Sequence, residues 1–344
     1  MVGVAVRPGG RGPAGSARIT DVARLAGVSP QTVSNVVNGR GGYTEQTRAT
    51  VMRAVEQTGY LPNRAARQLR TRRARLIAFC LEGSNLDARN PFTLWLLRAI
   101  VDTAHPSGHR VVVFTCEPDD VAQFEAWVRT GDADGYVFAN VTPGDPRTAV
   151  LSRLGLPFAV MGRTLPGEPQ TWVDVDNRAA IATVVDYLVA KGHRRFGFVG
   201  GEGTRHWNVE RREGTRDRLA EHGITLADRS VLVGELTEVA AGLDDVLASP
   251  TRPSALVCSS DTLAVLVGTR ARALGLHVGR DLAVTGFDGG LLDWVLDPPL
   301  TTVRIPVGAV AEAIIARLLR ELASGPTGDP GQFVATELVI GGSA

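Results

Sequence analysis

Hydrophobic positions fall into three patterns along the chain. Residues 1–17 show no periodicity; rich in Gly, Pro and Arg, they read as a disordered basic tail. From Ile19 to Tyr60 apolar residues recur at helical spacing, and Val22, Leu25, Ala26, Val28, Val33 and Val37 can pack between two short helices. From Leu76 onward short apolar runs alternate with longer amphipathic stretches. Strands are expected at 76–81, 110–116, 135–140, 157–161, 195–200, 231–234, 254–259, 282–287 and 334–340. Helices are expected at 92–104, 120–130, 178–191, 209–222, 238–248, 261–274 and 307–323. That alternation argues for two parallel, doubly wound α/β sheets behind an all-α head.

Turn chemistry sharpens the head. Thr20 can cap a first helix with Asp21 at its positive end, and Gly27 can take the left-handed conformation that stops it. Ser29-Pro30 is a strong start for a second helix, Pro30 to Val37, and Thr44 and Gly59 bracket a third. Two short helices joined by a tight turn and braced by a third make a helix-turn-helix. The second helix carries Gln31, Thr32, Ser34, Asn35 and Asn38 on its exposed side. Gln or Asn there can pair bidentately with adenine edges in a major groove, while Thr32, Ser34 and Arg48 can bond phosphates. The plainer alternative is a three-helix domain with a solvated polar face.

Charge separates head from body. The 344-residue chain has a net charge of +1. Residues 1–76 hold 13 Arg, no Lys and three acids, a charge of +10. Residues 77–344 hold 24 basic and 33 acidic groups, a charge of −9. A cationic head on an anionic body points to a polyanion as the head's partner. No apolar run reaches the ~18 residues of a membrane span, and the first residues lack a secretory pattern, so a cytoplasmic, nucleoid-associated protein is expected. Cys80, Cys116 and Cys258 are far apart and without metal-ligand spacing, which reads as reduced thiols.

Two stretches resemble a known family. The run from Ile19 to Asn38 (ITDVARLAGVSPQTVSNVVN) looks like the DNA-binding head of the lactose-repressor (LacI/GalR) family, and Tyr60 to Leu69 (YLPNRAARQL) resembles its hinge. The likeness extends through the body. It implies an organisation of head 18–62, hinge helix and linker 63–75, and an effector-binding and dimerisation domain 76–344. The latter would be periplasmic-binding-protein-like, with an N-subdomain of about 76–174 and 304–326 and a C-subdomain of about 175–303 and 327–342. The family's base-reading positions match Pro30, Gln31 and Asn35; many members have Arg at the last, where this chain has Asn. Thr20, Ser29 and Asn38 complete the expected DNA-facing set in the head. A hinge of eight or so residues is too short to be stable alone. The resemblance implies that it folds on DNA, with Asn63, Arg64 and Ala66 beside the duplex and Leu69 as a minor-groove wedge. The alternative is an ordinary linker with Leu69 packed on the body.

In the body, four segments resemble the family's cleft. Asn90-Pro91-Phe92 looks like its effector-facing loop, and Val173 to Asn177 like the passage into the second subdomain. Arg211 and Asp288 fall at the ligand-binding arginine and aspartate. Arg can donate two parallel hydrogen bonds and Asp can accept two from vicinal hydroxyls, which suits a sugar or polyol. Trp172 or Trp207 could stack on a sugar's apolar face. Ser260-Asp261 and Gly162-Arg163 stand where members commonly have Asn-Asp and Asp-Arg, so Ser260 and Arg163 are candidate contacts of altered chemistry. From the local sequence alone, the plainer reading is that Arg211 and Asp288 form a salt bridge or serve loops.

Catalysis has little support. The six His are scattered outside any metalloprotease, nucleophile-elbow or phosphate-loop pattern. His193 reads as structural, and Gly200-Gly201 as a strand-to-helix turn. No catalytic residue, metal ligand or cofactor is expected. The reading is a homodimeric repressor of a pseudo-palindromic operator, relieved by a sugar-like inducer. The chain ends soon after its last expected strand, without heptads for a tetramer. The rivals are a cytosolic sugar-binding protein, which needs no basic head, and a sugar-handling enzyme, which needs an acid–base or metal constellation.

Overall fold

The computed structural model describes residues 17–60, 74–82, 91–117, 119–168, 170–201, 203, 205–290, 297–325 and 331–344. The tail before residue 17, the loop residue Asn90 and the hinge positions Asn63, Arg64, Ala66 and Leu69 lie outside them. The chain divides at Arg73/Ala74 into two compact units, a head and a body.

The head is three helices: α1 (Ile19–Ala26), α2 (Pro30–Val37) and α3 (Glu45–Thr58). Its core is Val22, Ala23, Val33, Val36, Val51 and Ala54. Leu25, expected inside, is 53% exposed, and Val36 takes the inner position instead. Caps set the boundaries. Ser29 Oγ accepts the Thr32 N–H at 3.1 Å, Thr44 Oγ1 accepts that of Thr47 at 3.2 Å, and Gly27 and Gly59 end α1 and α3 at φ 66° and 64°. Thr20 is not a cap. α1 begins two residues earlier, at Ile19, and the Asp21 carboxylate accepts the Arg18 N–H at 2.9 Å, doing locally what a Thr hydroxyl would do.

The body holds two six-stranded sheets, and the chain passes between them three times. The first contains β1 (Leu76–Leu81), β2 (Arg110–Thr115), β3 (Gly135–Phe138), β4 (Phe158–Met161), β5 (Trp172–Asp174) and β11 (Gln332–Phe333), in the order β11-β5-β4-β3-β1-β2. The second contains β6 (Phe196–Gly200), β7 (Val231–Val233), β8 (Ala255–Cys258), β9 (Ala283–Asp288), β10 (Thr301–Arg304) and β12 (Glu337–Val339), in the order β12-β10-β9-β8-β6-β7. All pairings are parallel except β10 with β12. Helices α4 (Phe92–Ala104), α5 (Val121–Val128), α6 (Pro146–Leu154) and α11 (Val307–Ser324) go with the first sheet. Helices α7 (Asn177–Ala190), α8 (His206–Glu221), α9 (Leu236–Ala248) and α10 (Asp261–Ala273) go with the second.

β1, β3, β4, β6, β8 and β9 are buried along nearly their whole length, which is why they read as continuous apolar runs. Of the expected strand 334–340 only β12 forms, and β11, just before that range, is a strand of the other sheet. Because Gln332–Phe333 pairs with β5, the last passage into the C-subdomain falls between 333 and 337 rather than near 326.

Candidate functional site

On the head, α2 presents a polar surface. Pro30 and Gln31 are exposed, and Thr32, Ser34, Asn35 and Asn38 are half-buried. The side chains order one another. Gln31 Nε2 donates to Asn35 Oδ1 at 3.0 Å, one turn along the helix. Ser29 Oγ and Thr32 Oγ1 are 2.9 Å apart, and Asn38 Nδ2 donates to the Ser34 carbonyl at 2.6 Å. The Gln31–Asn35 pair leaves an amide oxygen and amide protons to face outward, the donor–acceptor pattern that matches adenine. Arg48 is exposed at the start of α3 beside Glu45 at 2.9 Å, and Thr20 is exposed on α1.

In the body, the carboxyl ends of both sheets face one cleft. Its cavity, about 40 Å³, is lined by Phe92, Ala139, Asn140, Met161, Gly162, Asp174, Val175, Trp207, Arg211, Asp288 and Ile305. Phe92, Trp207, Arg211 and Asp288 were expected there. Arg211 projects from α8 and is almost wholly buried. Its guanidinium lies 3.4 Å from the Phe287 ring centroid and 4.8 Å from a Trp207 ring centroid. Nε donates to Asn177 Oδ1 at 2.8 Å and Nη1 to the Ser259 carbonyl at 2.7 Å; Asp288 Oδ1 is 3.5 Å away. The planar cation is thus held by two aromatic faces and fixed acceptors, which preorganises its remaining N–H groups.

Asp288 ends β9 with φ 113°, a backbone conformation rare for a residue with a side chain. Burial pushes its carboxyl up to about 8, against the pull of Arg211. Asp261 supports it from behind, accepting the N–H groups of Gly289 and Gly290 at 3.0 and 3.1 Å and the Thr302 hydroxyl at 2.5 Å.

Three expected contacts are absent from the cavity lining. Ser260 caps α10, its Oγ accepting the Leu263 N–H at 3.3 Å. Trp172 packs on β11: its ring meets Phe333 at 5.1 Å between centroids, and only a glycine at 331 leaves room for it. Arg163 is tied to Asp174 at 3.0 Å and to Glu210 at 2.6 Å, so its charge is already matched. Burial alone would raise Glu210, but hydrogen bonds with His206 and Arg163 hold it down at about 2. Asn177, Asp174 and Asn140 line or support the cleft without having been singled out as contacts. Their only signal was position at strand ends, and Asp174 and Asn177 lay within a segment recognised as the passage between subdomains. His193 bonds Ser254 at 3.0 Å, away from the cleft. All three cysteines are buried, which raises their thiols, and no group of residues suited to a metal occurs among those described.

A helix-turn-helix head joined to two doubly wound subdomains around a buried cleft is the architecture of a DNA-binding transcriptional regulator. Comparison with known proteins agrees. Residues 18–63 match the profile of bacterial regulatory proteins of the lacI family, and residues 185–344 match a periplasmic binding protein-like domain. The HTH-type transcriptional regulator AglR of Rhizobium meliloti is 31% identical over 310 residues, 88% of this chain and 86% of the relative. CelR of Thermobifida fusca, another HTH-type transcriptional regulator, is 30% identical over 326 residues, 93% of this chain and 96% of the relative. The solved transcriptional regulator CelR–cellobiose complex superposes with a TM-score of 0.72 at 26% identity, covering 95% of this chain and 100% of the other. The lac repressor dimer bound to operator and the anti-inducer ONPF shares the fold, with a TM-score of 0.84 at 24% identity over 96% and 99% of the two chains. The chain belongs to the LacI family of HTH-type transcriptional regulators. That family is made of regulators rather than enzymes. Among the described residues no helix is long and apolar enough to cross a membrane.

Proposed function

We propose that the chain is a homodimeric repressor of a pseudo-palindromic operator, released by a neutral sugar or polyol bound between its subdomains, and that it works in the cytoplasm on the nucleoid. The observation that carries the effector reading is Arg211, stacked between Trp207 and Phe287 beside Asp288 at a cleft rim that also holds Phe92. Such a set offers fixed donors, a carboxyl for vicinal hydroxyls and aromatic faces for C–H surfaces. The relative solved with cellobiose supports a carbohydrate over a purine.

In this reading Pro30, Gln31 and Asn35 face the bases, while Ser29, Thr32, Ser34, Asn38, Thr20 and Arg48 position the head on the backbone. Asn63, Arg64, Ala66 and Leu69 serve as hinge. Dimerisation would cover the outer face of the first subdomain, where Leu94 and Val101 on α4 and Val113 on edge strand β2 are more than 40% exposed. Sugar binding changes the angle between subdomains and so biases the hinges, and DNA must weaken sugar binding by the same factor. The domain boundaries follow: head 18–62, hinge 63–75, body 76–344. A thermal-shift screen of neutral mono- and disaccharides, nucleosides and acidic sugars tests the ligand class. A neutral sugar at 100 times its Kd stabilises by about 2.7 kcal/mol, and stabilisation by nucleosides alone would overturn the assignment.

A further inference from the structure

Two arginines span the cleft, Arg163 near the crossing strands and Arg205 far from them, and Arg205 has the longer lever. Arg205 precedes α8 in the second subdomain, and its guanidinium reaches the first. It grips Glu82, at the end of β1, with Nη1 at 3.3 Å from Oε1 and Nη2 at 3.0 Å from Oε2. It also donates to the Asn140 carbonyl at 2.8 Å, just past β3. Glu82 is buried beside Arg147, which is itself held in a fork by Asp145 at 3.0 and 2.7 Å. On the first subdomain's side, two buried carboxylates thus share one guanidinium. Arg205 supplies the second positive charge from across the cleft.

The position gives this contact leverage. The chain passes between subdomains beside β5 and β11 on one sheet and β10 and β12 on the other. β1 is three strand spacings from β5, and β6, which leads to α8, is three from β10. At about 4.8 Å per spacing the Arg205 contact sits about 14 Å from the crossing edge. An opening of roughly 15° displaces it by about 4 Å, beyond hydrogen-bond reach. Arg163–Glu210 lies nearer the crossing, because Arg163 is also bonded to Asp174 at the end of β5, so such a rotation displaces it less. Trp95 of α4 closes a further gap, packed against Gly290 where any side chain would collide with it.

With the contact made, the cavity is about 40 Å³, far below the ~300 Å³ of a small ligand pocket. We propose that Arg205, Glu82 and Asn140 form a latch that holds the body shut in a state too small for its effector, so that effector binding competes with the latch. The consequence for effector affinity rests on the cleft being the effector site, but the latch itself does not. Breaking it multiplies the open-to-closed ratio by about tenfold, and any effector that needs opening binds up to about tenfold more tightly.

The test measures the distance across the cleft without ligand. Spin labels go on Asp119→Cys, after β2, and Thr237→Cys, after β7, in the full chain diluted with unlabelled chain. Wild type gives one narrow short distance. Arg205→Gln adds a second population several ångströms longer, and Arg205→Lys, which keeps the charge but loses the fork, falls between. Arg216→Gln, which removes an exposed pair with Asp228 within the second subdomain, leaves the distribution unchanged. In wild type, raising KCl from low to high concentration also populates the longer distance. A single wild-type distribution in both Arg205→Gln and high salt overturns the latch. A second population with no effect on sugar affinity keeps the latch and overturns the effector assignment.

Discussion

The head and the body use the same kinds of polar side chain in opposite surroundings. Gln31 and Asn35 hydrogen-bond each other on an accessible helix face. Arg211 and Asp288 do their work almost fully buried, each held by neighbours that leave little choice of geometry. An accessible polar surface gains affinity from many screened, additive contacts, chiefly to phosphates. A buried site gains it from a few groups whose desolvation is already met by fixed partners. Salt should therefore separate the two regions, and single substitutions should hurt the buried one more.

The largest effect expected is on the head. Between 50 and 200 mM KCl, affinity for a duplex selected from a random pool should fall by about 10³ or more if six or so phosphates are contacted, while sugar affinity does not fall and rises only as far as salt loosens the Arg205 contact. Anisotropy and calorimetry read the two. A flat salt response of DNA binding breaks the contrast. Next, Arg211→Ala should weaken sugar binding by at least about a hundredfold, because it strips the donor fork and the stacking partner of Trp207 and Phe287 together. A loss below tenfold, in protein whose melting shows that it is folded, would place the ligand elsewhere.

The third prediction uses pH. Asp288 has a folded-state pKa pushed up to about 8, above its unfolded value. A folded state that holds the proton more tightly is favoured at low pH, so this group's contribution falls as pH rises from about 4 to about 8 and is then level. Asp288→Asn removes that dependence. Its melting temperature relative to wild type should climb between pH 5 and 8 and plateau above. A pH-independent difference would mean that Arg211 keeps the carboxylate ionised. The smallest effect is Ser29→Ala, which removes the cap on α2 and costs about 1 kcal/mol of head stability without altering the body's melting.

How much was legible divides along the same line. Cap and stop residues Ser29, Pro30, Thr44, Gly27 and Gly59 announced the head's helices because each acts locally. The body's long buried strands announced themselves by apolar runs. Trp172–Asp174 and Thr301–Arg304 were passed over because they are short and carry Asp or Thr where the sheet needs no apolar side chain. α6 was missed because its first turn looks polar, although Arg147 is fully buried by its ion pair with Asp145. At the site, Arg211 and Asp288 were found by resemblance and their company was not. That Trp172 turns to Phe333, that Ser260 caps a helix and that Arg205 crosses to Glu82 depend on residues 123 to 161 positions apart, or on a choice between equally good local partners.

The most direct test joins the two regions. A fluorescent duplex bound by the full chain is titrated with the neutral sugar that stabilises the body, in wild type and in Asp288→Ala. The sugar should release DNA from wild type, raising Kd by at least about tenfold, and leave the variant's DNA affinity unmoved. A sugar that stabilises the wild-type body yet leaves its DNA affinity unchanged would contradict the coupling of the two regions.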